Sequence, residues 1–496
     1  MLWTICNNGD GRGFDMRDEL KQESAARRGS NRRHGARWLG VALGGLLLGS
    51  PVQASAFDVA PAKPAEATAK QRVIAYRNAT LIDGTGRPAQ QHMTIVIAGD
   101  TIKAVAPDAS AAVPADAEIV DAAGLYVLPG LIDTHMHLAT LPVRRWAEAT
   151  MRRSLYAGVT AVRDLAGDTR FLGELQRQVL VGDVKGPDIY YSALMAGPSF
   201  FEDRRTQAAA RGAKPGEVAW MQAIDDTTDL KIAVARARGT GASAIKIYAN
   251  LSGEIVKRIV DEAHRQNFRV WAHAMIFPAT PAEVIAASPD VVSHVCYIAY
   301  QLSPKPNSYH DRMTVDLKQF ERGDRPEIAA LFREMKQKGI VLDATARIYA
   351  KQEAAAAEGG AIPGNWRCPG GLAFRLINQA HREGVMISAG TDGDTDWNNP
   401  YPALHEELEL LADRAKMPNM EVIRAATSVA ARTLGQQDRM GTIQPGKLAN
   451  LLFVRQNPLD DVSNLRSVAF TVQRGATYRR EDYRPVTEDE MRAPDF

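Results

Sequence analysis

The sequence predicts an α/β protein, a (β/α)8 TIM-like barrel with a small β-sandwich domain built from both chain ends. Three observations predict it. Between residues 129 and 436, short apolar runs alternate with amphipathic helical stretches, and the eight repeats fit the ~250 residues such a barrel usually takes. On either side, residues 72–128 and 437–484 hold only short strand-like runs separated by turn residues. The whole chain of 496 residues, 45% apolar and 24% charged with a formal charge of +2, has the composition of an ordinary globular protein with length for more than one domain. Only one stretch, near the N-terminus, is long and uncharged, which excludes a multi-span membrane protein. Three cysteines are too few for a disulfide framework.

Taken in order, residues 1–56 carry eight Lys/Arg and five Asp/Glu, all at or before Arg37. From Trp38 the chain reads WLGVALGGLLLG and continues without charge to Ala54-Ser55-Ala56. A basic region, an apolar run and a small-x-small site predict a secretory signal peptide, hence a periplasmic or secreted protein with no stable membrane insertion after cleavage. A retained anchor is the alternative, disfavoured because Gly44, Gly45, Gly49 and Pro51 weaken the run. Met16 offers a second start, and Arg32-Arg33 matches a twin-arginine signal only in part. Without this segment 52 basic residues face 53 acidic ones, so no basic excess remains to attract nucleic acid. Residues 57–71, rich in Pro and Ala, read as a linker.

Strand-like runs follow from Val73 to Val127, with a tight turn at Gly99-Asp100 inside MTIVIAGDTIKAVA. The barrel strands begin with the segment ending PGLIDTHMH. They continue through VTAVRD (159–164), DIYYSAL (188–194), SAIKIYA (243–249), FRVWAHA (268–274), DVVSHVC (290–296), GIVLDATA (339–346) and VMISAGTD (385–392). After a last helical stretch, GTIQPGKLANLLFV and SVAFTVQRGATY return to the β pattern, and residues 485–496 form a tail.

In such a barrel the chemistry sits where the C-terminal ends of the strands converge. His135 and His137 end the first strand at i and i+2, so both imidazoles face the mouth and can grip one metal ion. Lys246, His273, His294 and Asp392 stand at matching heights on the fourth, fifth, sixth and eighth strands. A satisfied core histidine explains any one of these residues alone; their repetition on five strands points to a metal centre.

Pro129-Gly130-Leu131-Ile132-Asp133-Thr134-His135-Met136-His137, together with that Lys, His, His and Asp, resembles the amidohydrolase superfamily of metal-dependent hydrolases. Gly441-Thr442-Ile443-Gln444-Pro445-Gly446-Lys447-Leu448-Ala449-Asn450 resembles it as well, although the family more often shows Asp where Asn450 stands. The resemblance implies two divalent metal ions, zinc first among the choices. His135, His137 and Asp392 would hold one ion and His273 and His294 the other, with Lys246 bridging them as a carboxylated lysine. An unmodified ammonium between two dications would be repelled, whereas carboxylation makes it an anionic oxygen donor; an ordinary buried lysine is the alternative. The implied reaction is hydrolysis of an amide-type C–N bond by metal-activated hydroxide, with Asp392 as the catalytic proton carrier. No G-x-S-x-G, Walker A or intact G-x-G-x-x-G competes with this assignment.

Within the superfamily the chain is most similar to Xaa-Pro dipeptidase-like and imidazolonepropionase-like members. Lys246 favours the first, so the expected substrate is a dipeptide or N-acyl amino acid. A cyclic-amide hydrolase or deaminase on the same scaffold, and a non-catalytic exported binding protein, are the alternatives. Candidates to receive a substrate carboxylate are Tyr248, Arg347, His405, Arg204 and Arg205, each of which also fits a solvated loop residue or a helix cap. Ala196-Gly197-Pro198-Ser199-Phe200-Phe201 replaces the Gly-rich, His-containing loop that many relatives carry after the third strand. The segment Tyr349–Asn378 is long enough for a lid. Cys368 within it either pairs with Cys296 or stays a free thiol. Small-molecule or dipeptide partners are expected rather than nucleic acid, and barrels of this kind often pair into a homo-oligomer.

Overall fold

A computed structural model describes residues 71–304, 308–311, 315–358, 368–393 and 395–492. The signal peptide and nearly all of the linker expected at 1–71 lie outside the described residues, as does the middle of the expected lid. No helix among the described residues is long and apolar enough to cross a membrane.

Among the described residues, eighteen strands make two sheets. The first receives β1 (Val73–Leu81), β2 (Gln90–Ala98), β3 (Thr101–Pro107), β4 (Glu118–Asp121) and β5 (Tyr126–Pro129) from one end of the chain. From the other end come β16 (Leu451–Val454), β17 (Val468–Gln473) and β18 (Ala476–Arg479). The order is β18-β17-β16-β5-β1-β2-β3, with β4 added beside β1. Antiparallel pairing of Leu451 with Pro129 through Val454 with Tyr126 joins the two ends. Alternation of apolar and polar side chains gives this sheet one dry face, where Tyr76, Ile95, Ile97, Phe453, Phe470 and Val472 cluster. The run from Val73 to Leu81 is a single strand, bent at Asn78, whose φ is +65°.

The second sheet holds the barrel: β6 (Leu131–Met136), β7 (Val159–Asp164), β8 (Asp188–Ala196), β11 (Ala244–Ile247), β12 (Arg269–His273), β13 (Val291–Ser293), β14 (Val341–Asp343) and β15 (Ile387–Ser388). Each pairs in parallel with the next. The ring is drawn together where the Thr134 amide donates to the Ala389 carbonyl at 3.0 Å. Two short strands outside the expected eight, β9 (Glu217–Val218) and β10 (Met221–Ala223), extend the edge of β8 between the third and fourth barrel strands. Strands covered on both faces need apolar side chains at successive positions, and β11 and β13 are buried throughout.

The helices between the strands carry their own stop and start signals. Ser252 caps Gly253–Arg265, which turns Ile255, Val256, Ile259, Val260 and Ala263 inward at helical spacing. Thr280 and Glu283 form a capping box on Pro281–Ala287. The barrel and the first sheet meet closely at Gly158: its φ of +96° suits glycine, and a Cβ there would come within 2.7 Å of Leu452. Asn450 is a joint residue. Its side-chain oxygen accepts the Arg474 amide at 2.8 Å and its carbonyl accepts the Gly130 amide. Within the tail, Glu488–Met491 is helical and Glu490 pairs with Arg152 at 2.9 Å.

Candidate active site

The C-terminal ends of the barrel strands bring three of the expected ligands into one cluster. The metal-binding atoms of His135, His294 and Asp392 all lie within 4.8 Å of one another. His135 Nε2 stands 3.4 Å from Asp392 Oδ1, and His137 Nε2 reaches the same oxygen at 2.9 Å. The His294 ring centroid is 5.0 Å from that of His135 and 4.7 Å from that of His273. Four strands, β6, β12, β13 and β15, therefore contribute at one height, because parallel strands in register end together.

Backbone conformation helps aim these side chains. His294, Thr345 and Asp392 follow their strands in the left-handed region, with φ of +73°, +49° and +47°. Non-glycine residues there carry strain of about 1–3 kcal/mol each. Main-chain bonds hold two of them: the His294 amide donates to the Asp343 carbonyl and the Asp392 amide to the His135 carbonyl.

Electrostatics suits a cation. Burial holds His273 and His294 well below the usual imidazole range, so both are neutral and each offers one ring nitrogen as a donor to a cation. His273 Nδ1 is buried without a hydrogen-bond partner, a costly state that a bound ion would relieve. Burial raises the Asp392 carboxyl, but the neighbouring imidazoles and the His137 hydrogen bond outweigh it and hold the group well below the ordinary carboxylate range. Lys246 is 1% exposed. Burial, reinforced by the Arg163 charge, brings its ammonium down to about 7, and Nζ donates to Ser293 Oγ at 3.3 Å. The imidazole and carboxylate donors fit zinc or a similar divalent ion.

The substrate candidates separate. Tyr248 is half-buried beside the cluster, its ring centroid 4.1 Å from that of His273 and 4.5 Å from that of Phe200. Burial pushes its hydroxyl up, so it remains a neutral donor. Arg205 lies 5.8 Å over the Tyr248 ring while paired with Asp203 at 2.6 Å; Arg204 is exposed. Arg347 is 2% exposed and is engaged by the Glu406 carboxylate. His405 does not face the mouth. Its Nε2 meets the Ala157 carbonyl at 2.9 Å, just before β7 begins and thus at the opposite end of that strand from the ligands. Burial brings its imidazole down to about 3, leaving a neutral ring in the packing.

Cys296 and Cys368 are joined in a disulfide closing 72 residues of chain. This ties the turn after His294 to the start of Gly370–Arg382. Described parts of the expected lid are helical, Ala346–Ala357 on one side and Gly370–Arg382 on the other.

Sequence reasoning missed the carboxylate beneath the cluster. Asp343, the last residue of β14, is fully buried and accepts from His135 Nδ1 at 2.7 Å and Arg163 Nη2 at 2.8 Å. The signal was present, since GIVLDATA places an aspartate at the same strand height as the other ligands.

The sequence profile of the amidohydrolase family matches residues 126–477. A curated 5-methylthioadenosine/S-adenosylhomocysteine deaminase from Desulforudis audaxviator (strain MP104C) is 27% identical over 77% of this chain and 84% of its own length. Among solved structures, a candidate prolidase from Bifidobacterium longum is 26% identical with a TM-score of 0.62, covering 85% of this chain and 97% of that one. A Xaa-Pro dipeptidase with bound methionine in its active site shares the fold at 21% identity and a TM-score of 0.64, covering 82% of this chain and all of that one.

Proposed function

The chain belongs to the amidohydrolase family, hydrolases of C–N bonds, and from that premise we propose that it cleaves the amide bond of a dipeptide or N-acyl amino acid. The observation that carries this reading is the meeting of His135, His294 and Asp392 within 4.8 Å, with Lys246 buried on β11 of the same barrel.

His135, His137 and Asp392 would hold one divalent ion and His273 and His294 a second, with Lys246, once carboxylated, between them. A divalent ion supplies Lewis acidity, polarising a carbonyl and making water easier to deprotonate. The protein's own part is positioning and proton transfer. Asp392 is ionised, accepts the proton of the attacking water on its carboxylate and returns it to the leaving amine nitrogen. His137 Nε2 lies 2.9 Å from Asp392 Oδ1, so the two side chains converge on one point of the mouth. Tyr248, kept neutral, donates from the rim to an oxygen of the substrate.

Export to an oxidising compartment, the periplasm or outside the cell, belongs to the same proposal. The Cys296–Cys368 disulfide supports it, because such bonds persist where thiols are not kept reduced.

A second reading is deamination, favoured by the 27% identical deaminase that matches most of this chain. One assay separates the two. Zinc- and bicarbonate-loaded protein is given dipeptides and N-acyl amino acids varied at the C-terminal residue, alongside 5-methylthioadenosine and related amines. Release of free amino acid, lost in Asp392→Asn, supports the proposal; ammonia release with no amide cleavage supports the deaminase reading and overturns it.

A further inference from the structure

We propose that Asp343, with Arg163 behind it, is the positioning residue of the metal centre: it fixes His135 as the tautomer that carries its proton on Nδ1 and leaves Nε2 as the metal-facing donor. This inference rests on the metal-site reading above. Asp343 Oδ2 collects three partners, His135 Nδ1 at 2.7 Å, Arg163 Nη2 at 2.8 Å and Ser293 Oγ at 3.0 Å. Thr134 Oγ1 lies 3.1 Å from the other oxygen. Guanidinium nitrogens are donors only, and an oxygen already receiving three groups has no place for a proton of its own. The His135 Nδ1 must therefore donate, which leaves the Nε2 lone pair free. That atom is the one 3.4 Å from Asp392.

The carboxylate is itself fixed. Arg163 is fully buried, stacks at 4.7 Å over the Trp271 ring, and its Nε donates to the Thr134 carbonyl. Through Ser293, whose hydroxyl donates to Asp343 and accepts from Lys246, the same carboxylate also sets the fourth-strand lysine. One buried ion pair thus orients groups from β6, β11 and β13. Outer partners of this kind are worth about 10–100-fold in metal affinity.

The test measures zinc binding rather than turnover. Asp343→Asn alone strands the buried Arg163 charge, so Asp343→Asn with Arg163→Met, a neutral pair of similar volume, is prepared beside it. Zinc affinity is read by competition with a chromophoric chelator, and folding by thermal midpoint and circular dichroism. The expected result is a double variant that folds and binds zinc about 10–100-fold more weakly than wild type. Wild-type affinity in a folded double variant would overturn the inference. Nitrogen-15 spectra of histidine-labelled, zinc-loaded wild type give an answer that needs no variant to fold in order to bind. A His135 proton on Nδ1 is expected, assigned by its loss in His135→Gln, and a proton on Nε2 would overturn the inference. A wild-type chain that takes up no zinc would instead overturn the metal reading itself.

Discussion

Gly390, two residues before Asp392, is predicted to tolerate no side chain, and the reason is space rather than backbone freedom. It is absent from the glycines with positive φ, so alanine fits its main-chain conformation. A Cβ built there would fall far inside contact distance of Asp343 Oδ1 and only 2.7 Å from His135 Cβ and 3.0 Å from Thr134 Oγ1. Ordinary carbon contacts begin at about 3.5 Å, so at least one neighbour must move by most of an ångström. All three neighbours are buried and two of them form the 2.7 Å bond between Asp343 and His135, so none yields cheaply. Overpacking of this kind costs about 1–3 kcal/mol, or roughly 2–5 °C in thermal midpoint for a domain of about 300 residues. The methyl group also wedges the bond that aims His135, so zinc affinity should fall even in the fraction that remains folded. Gly390→Ala is measured by differential scanning calorimetry and chelator competition. A wild-type midpoint together with wild-type zinc affinity would refute this close approach of Gly390 to His135 and Asp343.

Lys246→Ala should lose at least ~100-fold in turnover and recover part of it when a short-chain carboxylate is added, since the exogenous anion replaces the missing oxygen donor; recovery by ammonium rather than carboxylate would count against carboxylation. His264, on the outer helix Gly253–Arg265, bonds Asp290 at 3.1 Å, and that hydrogen bond raises its imidazole above the usual value of 6.5. Its contribution to stability is complete below pH ~6.5 and disappears as pH rises through the raised folded value, so urea midpoints at pH 6 and pH 9 should lie closer together in His264→Gln than in wild type. Equal spacing in both proteins would remove the pair from the stability account. Breaking the Cys296–Cys368 bond frees 72 residues of chain, worth roughly 4 kcal/mol by the loop-entropy relation. Cys296→Ser with Cys368→Ser should therefore melt several degrees lower than oxidised wild type, and an unchanged midpoint would contradict it.

The barrel was legible because its strands are buried on both faces and read as short apolar runs. VTAVRD coincides with β7 residue for residue, six of the other runs contain their strands, and β8 runs two residues past DIYYSAL to Ala196. The two short strands at 217–223 were not legible, since two or three residues added to an edge show neither alternation nor turn punctuation. Histidine position carried the site: residues at strand ends, one barrel unit apart, converge whatever lies between them. Charged side chains were harder to place. His405 looked like a rim residue from its place after the last strand, yet its helix turns it toward Ala157. Arg347 follows the seventh strand as expected, but Glu406, far along the chain, is its partner. Asp343 shows the same limit from the other side. Its partners Arg163, Ser293 and His135 come from three different strands, and only the closed barrel makes one network of them.

The central claim is that hydrolysis depends on metal held by His135, His137, His273, His294, Asp392 and modified Lys246. Titrating zinc into metal-stripped protein in the presence of bicarbonate, while following release of amino acid from the best N-acyl amino acid substrate, tests it most directly. Activity should be absent at the start and rise in proportion to bound zinc, reaching a plateau at about two ions per chain. Full turnover by the stripped protein with chelator present would contradict the account.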